Sequence, residues 1–302
     1  MSIQTPTDDP LTLLEAELRQ PQGGTAKESS FRWMLFVAIA VALLTLAVLL
    51  IFIGVQGWPR FNSILWSNMP SIRLPENAGA QSAITGSIWV ICTTALIALP
   101  IGVMAAIYLE EYGNVSSRFY RLVEINIQNL AAVPSIVYGI LGLGVIARAF
   151  GLGQTVITAA LTLALLVLPI IIISTREAIR AVPQSIRFGS MALGATKWQT
   201  VWKQVLPAAT PGTATGAILA LSRAIGEAAP LLLLGAVTFI TFNPNGLMSS
   251  YTVMPIQIFN WVSQSREEFQ VLAAALCIVL LILLLIMNGL AIFLRNRYQK
   301  RW

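Results

Sequence analysis

No histidine occurs anywhere in the 302 residues. Its absence removes the commonest metal ligand and the side chain that shuttles protons near neutral pH. Only two cysteines are present, Cys92 and Cys277. Each lies within an apolar run, where a thiol packs as a small hydrophobe, so neither a disulfide nor a metal site is expected. The chain contains no Gly-Lys dipeptide, and hence no Gly-x-x-x-x-Gly-Lys-Ser/Thr loop of the kind that cradles nucleotide phosphates. The paired carboxylates Glu110–Glu111 fall at a helix end and read as solvated, which leaves a membrane-embedded enzyme little support. Charge is scarce as well: 11% of residues carry it, against about 25% in soluble domains.

Apolar residues fill the space that charge vacates. The chain is 56% hydrophobic with a mean hydropathy of +0.75. A bilayer-spanning helix needs about 20 consecutive apolar residues. Runs of that order fall at 33–55, 84–109, 122–147, 155–175, 208–240 and 269–294, which predicts an all-α polytopic membrane protein with six transmembrane helices. A membrane β-barrel is excluded because the runs are continuous rather than alternating.

The net charge of +6 is a topology signal, not a nucleic-acid footprint. Fourteen basic residues fall in the N-terminal tail, the 118–121 loop, the 176–203 segment and the C-terminal tail, against four (Arg60, Arg73, Arg148, Arg266) in the alternate loops. The positive-inside bias then places both termini in the cytoplasm. Residues 1–32 are polar and read as a disordered cytoplasmic tail, followed by a first transmembrane helix over 33–55. That helix is too long for a signal-peptide core and lacks a small-residue cleavage pattern, so it is expected to stay attached. A periplasmic loop follows over 56–81, with Trp58 and Trp66 placed at the membrane interface. The core is 82–294, and 295–302 is a basic cytoplasmic tail.

Three successive spans carry a proline: Pro100, Pro134 and Pro169. Each frees a backbone carbonyl and bends its helix, either as an ordinary packing kink or as the lining of a cavity. The segment 174–207 is more informative. Pro183 suits the first turn of a helix and Gly194 a left-handed stop. Thr196 with Gln199 forms a capping box that starts a second helix, and Pro207 punctuates its end. This helix–turn–helix handle, within a coupling loop over 176–207, is built with Gly189, Ser190, Ala192, Gly194 and Ala195, small enough for another protein to approach closely.

The spacing in "FGSMALGATKWQTVWKQVLP" resembles the EAA loop of ABC-importer permeases. In that loop Glu-Ala-Ala is followed by three residues, a glycine, nine residues, a hydrophobic position, one residue and Leu-Pro. Gly194, Leu206 and Pro207 stand at matching positions, while Phe188, Gly189 and Ser190 replace Glu-Ala-Ala and Gln204 replaces the hydrophobic residue. "GVMAAIYLEEYG" (102–113), "VPSIVYG" (133–139), "SRAIGEAAPLLL" (222–233) and "MPIQIFNW" (254–261) are similar to phosphate-specific ABC importer permeases of the PstA type, from about residue 82 onward. The resemblance implies a type I ABC importer permease fold in the bacterial inner membrane. It implies as partners a related PstC-type permease, two ATPase subunits and a periplasmic phosphate-binding protein. It implies no cofactor in this chain, ATP and Mg being bound by the ATPase. Arg187, Phe188, Gly189, Ser190, Gly194, Ala195, Lys197 and Trp198 become the candidate contacts with that ATPase.

The span at 208–240 holds the least expected residue. Counted from Pro207 at 1.5 Å per residue, Arg223 lies about 24 Å along, deep in a hydrocarbon core of roughly 30 Å. An arginine there costs about 2.5 to 17 kcal/mol unless it finds water or a partner. Glu227 is one turn on. Gly212, Gly216, Ala220, Ala224 and Ala228 form a small-residue stripe for a neighbouring helix, and the charged pair is expected on that protein-facing side. Pro230 removes the amide that would bond the Gly226 carbonyl, weakening the helix just beyond. Two roles remain open: a pair that sets helix register, or a substrate pathway in which Arg223 attracts an oxyanion and Glu227 competes for it so that the anion can leave. In the second, phosphate transiently displaces the carboxylate. Sulfate or molybdate as the oxyanion, or an ion-coupled secondary transporter, are the alternative readings.

Overall fold

The structure is a computed structural model and describes residues 26–235 and 239–298. Among these residues every regular element is helical. The chain divides into two compact units, 1–52 and 53–302. Helix α1 (Ala26–Gly57) carries the first unit. It meets no proline, holds its one first-turn acid, Glu28, at the N-terminal end, and is exposed on all sides over its apolar stretch. Such a surface is stable only in lipid or against another apolar surface.

The second unit begins with the short α2 (Ser63–Ser67), whose first turn is capped by the Asn62 side chain. Then follow α3 (Gln81–Ile107), widened into a π turn over Tyr108–Tyr112, α4 (Arg118–Ala132) and α5 (Ser135–Leu141), which continues as a π-helical stretch over Gly142–Ala149. Next are α6 (Val156–Arg180), α7 (Gln184–Ala192), α8 (Lys197–Thr200), α9 (Leu206–Gly226) and α10 (Ala229–Leu233). Two more, α11 (Met254–Val262) and α12 (Glu267–Tyr298), close the described chain. Among the described residues five helices are long and apolar enough to cross a membrane, and six if the bent pair α4–α5 counts as one span.

Several expectations need correction. The predicted single span 122–147, expected to bend at Pro134, is two separate helices meeting at 103°. Pro134 has no amide to donate and pushes Val133 out of the helical region, to ψ 130°, as residues before proline usually are. Helices α3 and α6, by contrast, run on through Pro100 and Pro169. The predicted 208–240 span stops at Gly226, and its residues 236–238 lie outside the described set. Of the tail assigned to 1–32, residues 26–32 are already helical, and the rest of that assignment lies outside the described residues. Helix α12 reaches Tyr298, so 295–298 are helix and the remainder of the basic tail is outside the described set.

Close approach of α3, α6 and α9 makes the centre of the unit. A methyl group on Gly102 would strike the Ile171 side chain, and one on Gly212 would sit 2.8 Å from the Ala178 Cβ. On Gly216 it would overlap Ser174. In lipid, where tails are as apolar as leucine, such van der Waals contact between small-residue faces is what holds helices together. Ile107, Ile179, Val182, Val201, Val205 and Ala209 form a buried cluster where α3, α6 and the handle meet. At the other end Ser87 Oγ accepts a hydrogen bond from the Met254 amide at 2.9 Å and Ser82 Oγ donates to the Ile240 carbonyl at 3.1 Å, tying α3 to the loop before α11. Tyr251 is fully buried in that loop, and burial pushes its phenol pKa up.

Candidate functional site

Helix α9 ends where its charged pair begins. Glu227 leaves the helical region at φ −77°, ψ 107°, while its amide still bonds the Ala224 carbonyl. Pro230 then opens α10 within its first turn, a position that tolerates proline because no helical amide is needed there. The break therefore falls at Glu227–Ala228, earlier than the weakening anticipated beyond the pair. Gly139 of α5 packs directly on Pro230, where a Cβ would come within 2.7 Å of its Cα. A residue with any side chain at 139 would push the half-helix away.

Arg223 Nε donates to Glu227 Oε1 at 3.3 Å. The small-residue stripe does pack, with Ala220 and Ala224 buried, but the arginine does not share that face. Its side chain is 57% exposed and that of Glu227 17% exposed. Leu219, Arg223 and Gly226, spaced by four and three residues, form an exposed strip along α9. The expectation of a protein-facing pair holds for Glu227, which is largely covered, and is corrected for Arg223, which in the single chain points off the packed stripe. Among the described residues neither terminal guanidinium nitrogen of Arg223 has a protein acceptor. Glu227 holds one edge of the guanidinium and leaves the two-nitrogen fork open. Gly226, between them in sequence, is exposed with open space where a side chain would stand.

The handle is a defined structure. Helix α7 starts after Pro183, and Gly194 takes φ +85° in the turn that follows it, a conformation only glycine adopts without strain. Thr196 and Gln199 form the capping box of α8, and Ser190 Oγ lies 2.9 Å from Thr200 Oγ1, joining the two short helices. Pro207 does not end the second one. Residues Lys197–Gly226 are one continuous helix of 30 residues through a π turn at Val201–Val205, about 45 Å long at 1.5 Å per residue. One rod thus carries the handle at one end and Arg223 near the other. Arg176 and Arg180, counted as loop from the sequence, belong to the last turns of α6.

The candidate contact residues of the handle divide into two groups. Phe188, Gly189, Gly194, Lys197 and Trp198 are exposed, Ser190 and Ala195 half-buried. Phe188 is 64% exposed and Trp198 60%, with Leu193 between them at 91%. Arg187 is different. It is buried, donating to the Val182 carbonyl at 2.6 Å, the Ile179 carbonyl at 2.9 Å and Glu111 Oε1 at 2.8 Å. Its side chain is 10% exposed and lines a surface cavity beside Glu111, Gln184 and Lys197.

The sequence reading missed the ion cluster to which Arg187 belongs. Glu110 and Glu111, read as solvated, are 15% and 8% exposed at the side chain. Arg180 takes both oxygens of Glu110 at 2.9 Å. Arg176 bonds Glu110 at 3.3 Å, Tyr120 Oη at 2.9 Å and Glu124 at 3.1 Å. Two acids ending one apolar run and two arginines one turn apart ending another, on the same side of the membrane, are the signal that could have revealed it. Among the described residues no cluster of His, Cys, Asp or Glu could hold a metal.

Residues 98–300 match the family described as binding-protein-dependent transport system inner membrane component. The chain is 31% identical over 261 residues to the phosphate transport system permease protein PstA 1 of Mycobacterium tuberculosis (strain CDC 1551 / Oshkosh), covering 85% of each. It is 33% identical over 258 residues to the phosphate transport system permease protein PstA of Mycobacterium leprae (strain TN), covering 82% of each. Among solved structures, a chain of a bacterial alginate ABC transporter in complex with a pentasaccharide-bound periplasmic protein superposes with a TM-score of 0.61. That match spans 91% of this chain and 98% of the other at 14% identity, a likeness of fold alone. The helical architecture is the type I ABC importer permease fold, whose members work with ATPase and substrate-binding partners. The chain belongs to the binding-protein-dependent transport system inner membrane component family and is a multi-pass membrane permease, a transport component rather than an enzyme.

Proposed function

We propose that this chain is the permease subunit through which an ATP-driven importer conducts inorganic phosphate across the bacterial cytoplasmic membrane, with both termini in the cytoplasm. The observation that carries the reading is the open fork of Arg223, exposed at the end of a broken helix with only its Nε engaged. A guanidinium fork matches two oxygens of a phosphate at once. Glu227 holds the arginine in place and keeps net charge at the site low, so that the anion is attracted without being trapped. With the fork already free, first contact does not require the carboxylate to be displaced.

The exposed strip through Arg223 faces away from its own chain, which suits a pathway shared with a PstC-type permease. Phosphate rather than sulfate or molybdate follows from the names of the relatives, since one arginine does not distinguish tetrahedral anions. Two ATPase subunits, which bind ATP and Mg, and a periplasmic phosphate-binding protein complete the machine. Phe188, Gly189, Ser190, Gly194, Ala195, Lys197 and Trp198 form the ATPase-facing surface. The test is phosphate uptake by vesicles reconstituted with and without the ATPase and binding protein. Uptake requires all components and is lost in Arg223→Gln with assembly intact. Uptake by this chain alone, or undiminished uptake by the variant, overturns the assignment.

A further inference from the structure

The handle joins the rest of the molecule unequally at its two ends. Downstream it is continuous with the Arg223 helix, so the backbone itself carries any displacement. Upstream the helix breaks after Arg180, and the chain turns through Ala181, Val182 and Pro183 before α7 begins. Two backbone hydrogen bonds, Ala181 N–H to the Glu177 carbonyl and Val182 N–H to the Ile179 carbonyl, close this turn, but no helix runs through it. A side chain braces it further: Arg187 of α7 donates to the Ile179 carbonyl at the end of α6, to the Val182 carbonyl in the turn and to Glu111 on the π turn that ends α3. Three elements meet on one buried guanidinium. Among the described residues Glu111 is the α3-side group that bonds this guanidinium, and its side chain is as buried as its partner. The Lys197 ammonium, 5.1 Å over the Tyr112 ring, is a second and weaker charge contact between the same π turn and the handle.

We propose that Glu111 is a positioning residue that makes α3 travel with the handle, so that ATP-driven displacement reaches a second span as well as the Arg223 helix. This inference rests on the reading of the chain as an ATP-driven permease. A buried ion pair suits a linkage: separating the charges leaves both unpaired in a medium of low dielectric, so the junction moves as a unit or breaks outright. An apolar contact in the same place could slide. The neighbouring Glu110 pairs with Arg176 and Arg180 of α6 and does not reach the handle, so it ties span to span rather than span to handle.

The experiment uses the assembled importer in vesicles, with this chain as wild type, Glu111→Gln and Glu111→Asp. Phosphate uptake in Glu111→Gln should fall about tenfold while ATP hydrolysis by the same vesicles stays within about twofold of wild type. Glu111→Asp, which keeps the charge, should recover part of the uptake. A purely structural role would lower hydrolysis, uptake and the amount of assembled complex in parallel, and that outcome overturns the proposal, as does unchanged uptake. A second measurement is independent of substrate. Spin labels on Tyr108→Cys and Ser185→Cys, with Cys92 and Cys277 replaced by alanine, report the distance from α3 to α7 with and without ATP. The distance distribution should be the same in both states when Glu111 is present and should shift between them in Glu111→Gln. A wild-type distance that changes with ATP as much as the variant's refutes the linkage. Should the wild-type complex hydrolyse ATP but move no phosphate, the substrate assignment fails, and the label distances still decide the role of Glu111.

Discussion

Replacing Arg223 by lysine keeps the charge and removes the fork. The guanidinium gives one nitrogen to Glu227 at 3.3 Å and leaves two for an anion. A lysine ammonium must serve the carboxylate and the anion from one atom, so it forfeits the bidentate geometry. Hydrogen bonds to charged groups contribute about 1.5 to 3 kcal/mol each. Because the Arg223 side chain is 57% exposed in the single chain, water screens the site and the lower figure applies, about 1.5 kcal/mol for one lost bond, or roughly a tenfold loss. The assay is the initial rate of phosphate uptake by the reconstituted importer at saturating loaded binding protein, with ATP hydrolysis measured on the same vesicles to show that the complex is assembled. Arg223→Lys should transport about tenfold more slowly than wild type, and Arg223→Gln, with neither charge nor fork, more slowly still. Full-rate uptake in the lysine variant would mean that charge alone suffices and that the open fork plays no part.

Glu227→Gln should bind phosphate more tightly and release it more slowly, since the competing charge is gone; a lower KM with a lower maximal uptake rate is the expected split, and an unchanged ratio counts against a moderating role. Gly194→Ala places a side chain at φ +85° and should lower the thermal stability of the handle by about 1 kcal/mol. Gly194→Glu should in addition reduce ATPase capture in a pull-down, and normal capture would exclude the handle from that contact. Tyr251→Phe removes a buried hydroxyl with no hydrogen-bond partner among the described residues. The melting temperature of the detergent-solubilised protein should hold or rise, whereas a clear fall would show that the hydroxyl is bonded.

Apolar run length and basic-residue placement made the membrane class and the positions of α1, α3, α6 and α12 legible, because lipid demands continuous apolar helix of fixed length and tolerates little else. The handle was legible too, since capping boxes and left-handed glycines are local backbone requirements, and Thr196, Gln199 and Gly194 meet them within a few residues. Proline was the poorer guide. Pro100 and Pro169 stay within helices while Pro134 divides one, and nothing in three similar apolar contexts distinguishes them. What differs is whether neighbouring elements hold the helix straight or accept the turn.

The charged residues mark the division most clearly. Composition and spacing alone determined that this chain lives in a bilayer and that Arg223 and Glu227 sit within reach of each other. Only the tertiary structure decided that Arg223 emerges from its helix uncovered, that Arg187 spends its guanidinium on Glu111 and two backbone carbonyls, and that Glu110 and Glu111 are largely covered anchors. The physical reason is range. Helical periodicity relates residues a turn or two apart, but the 66 to 76 positions separating Glu110 and Glu111 from their arginines are closed by how the helices cross and stack, which no local pattern encodes.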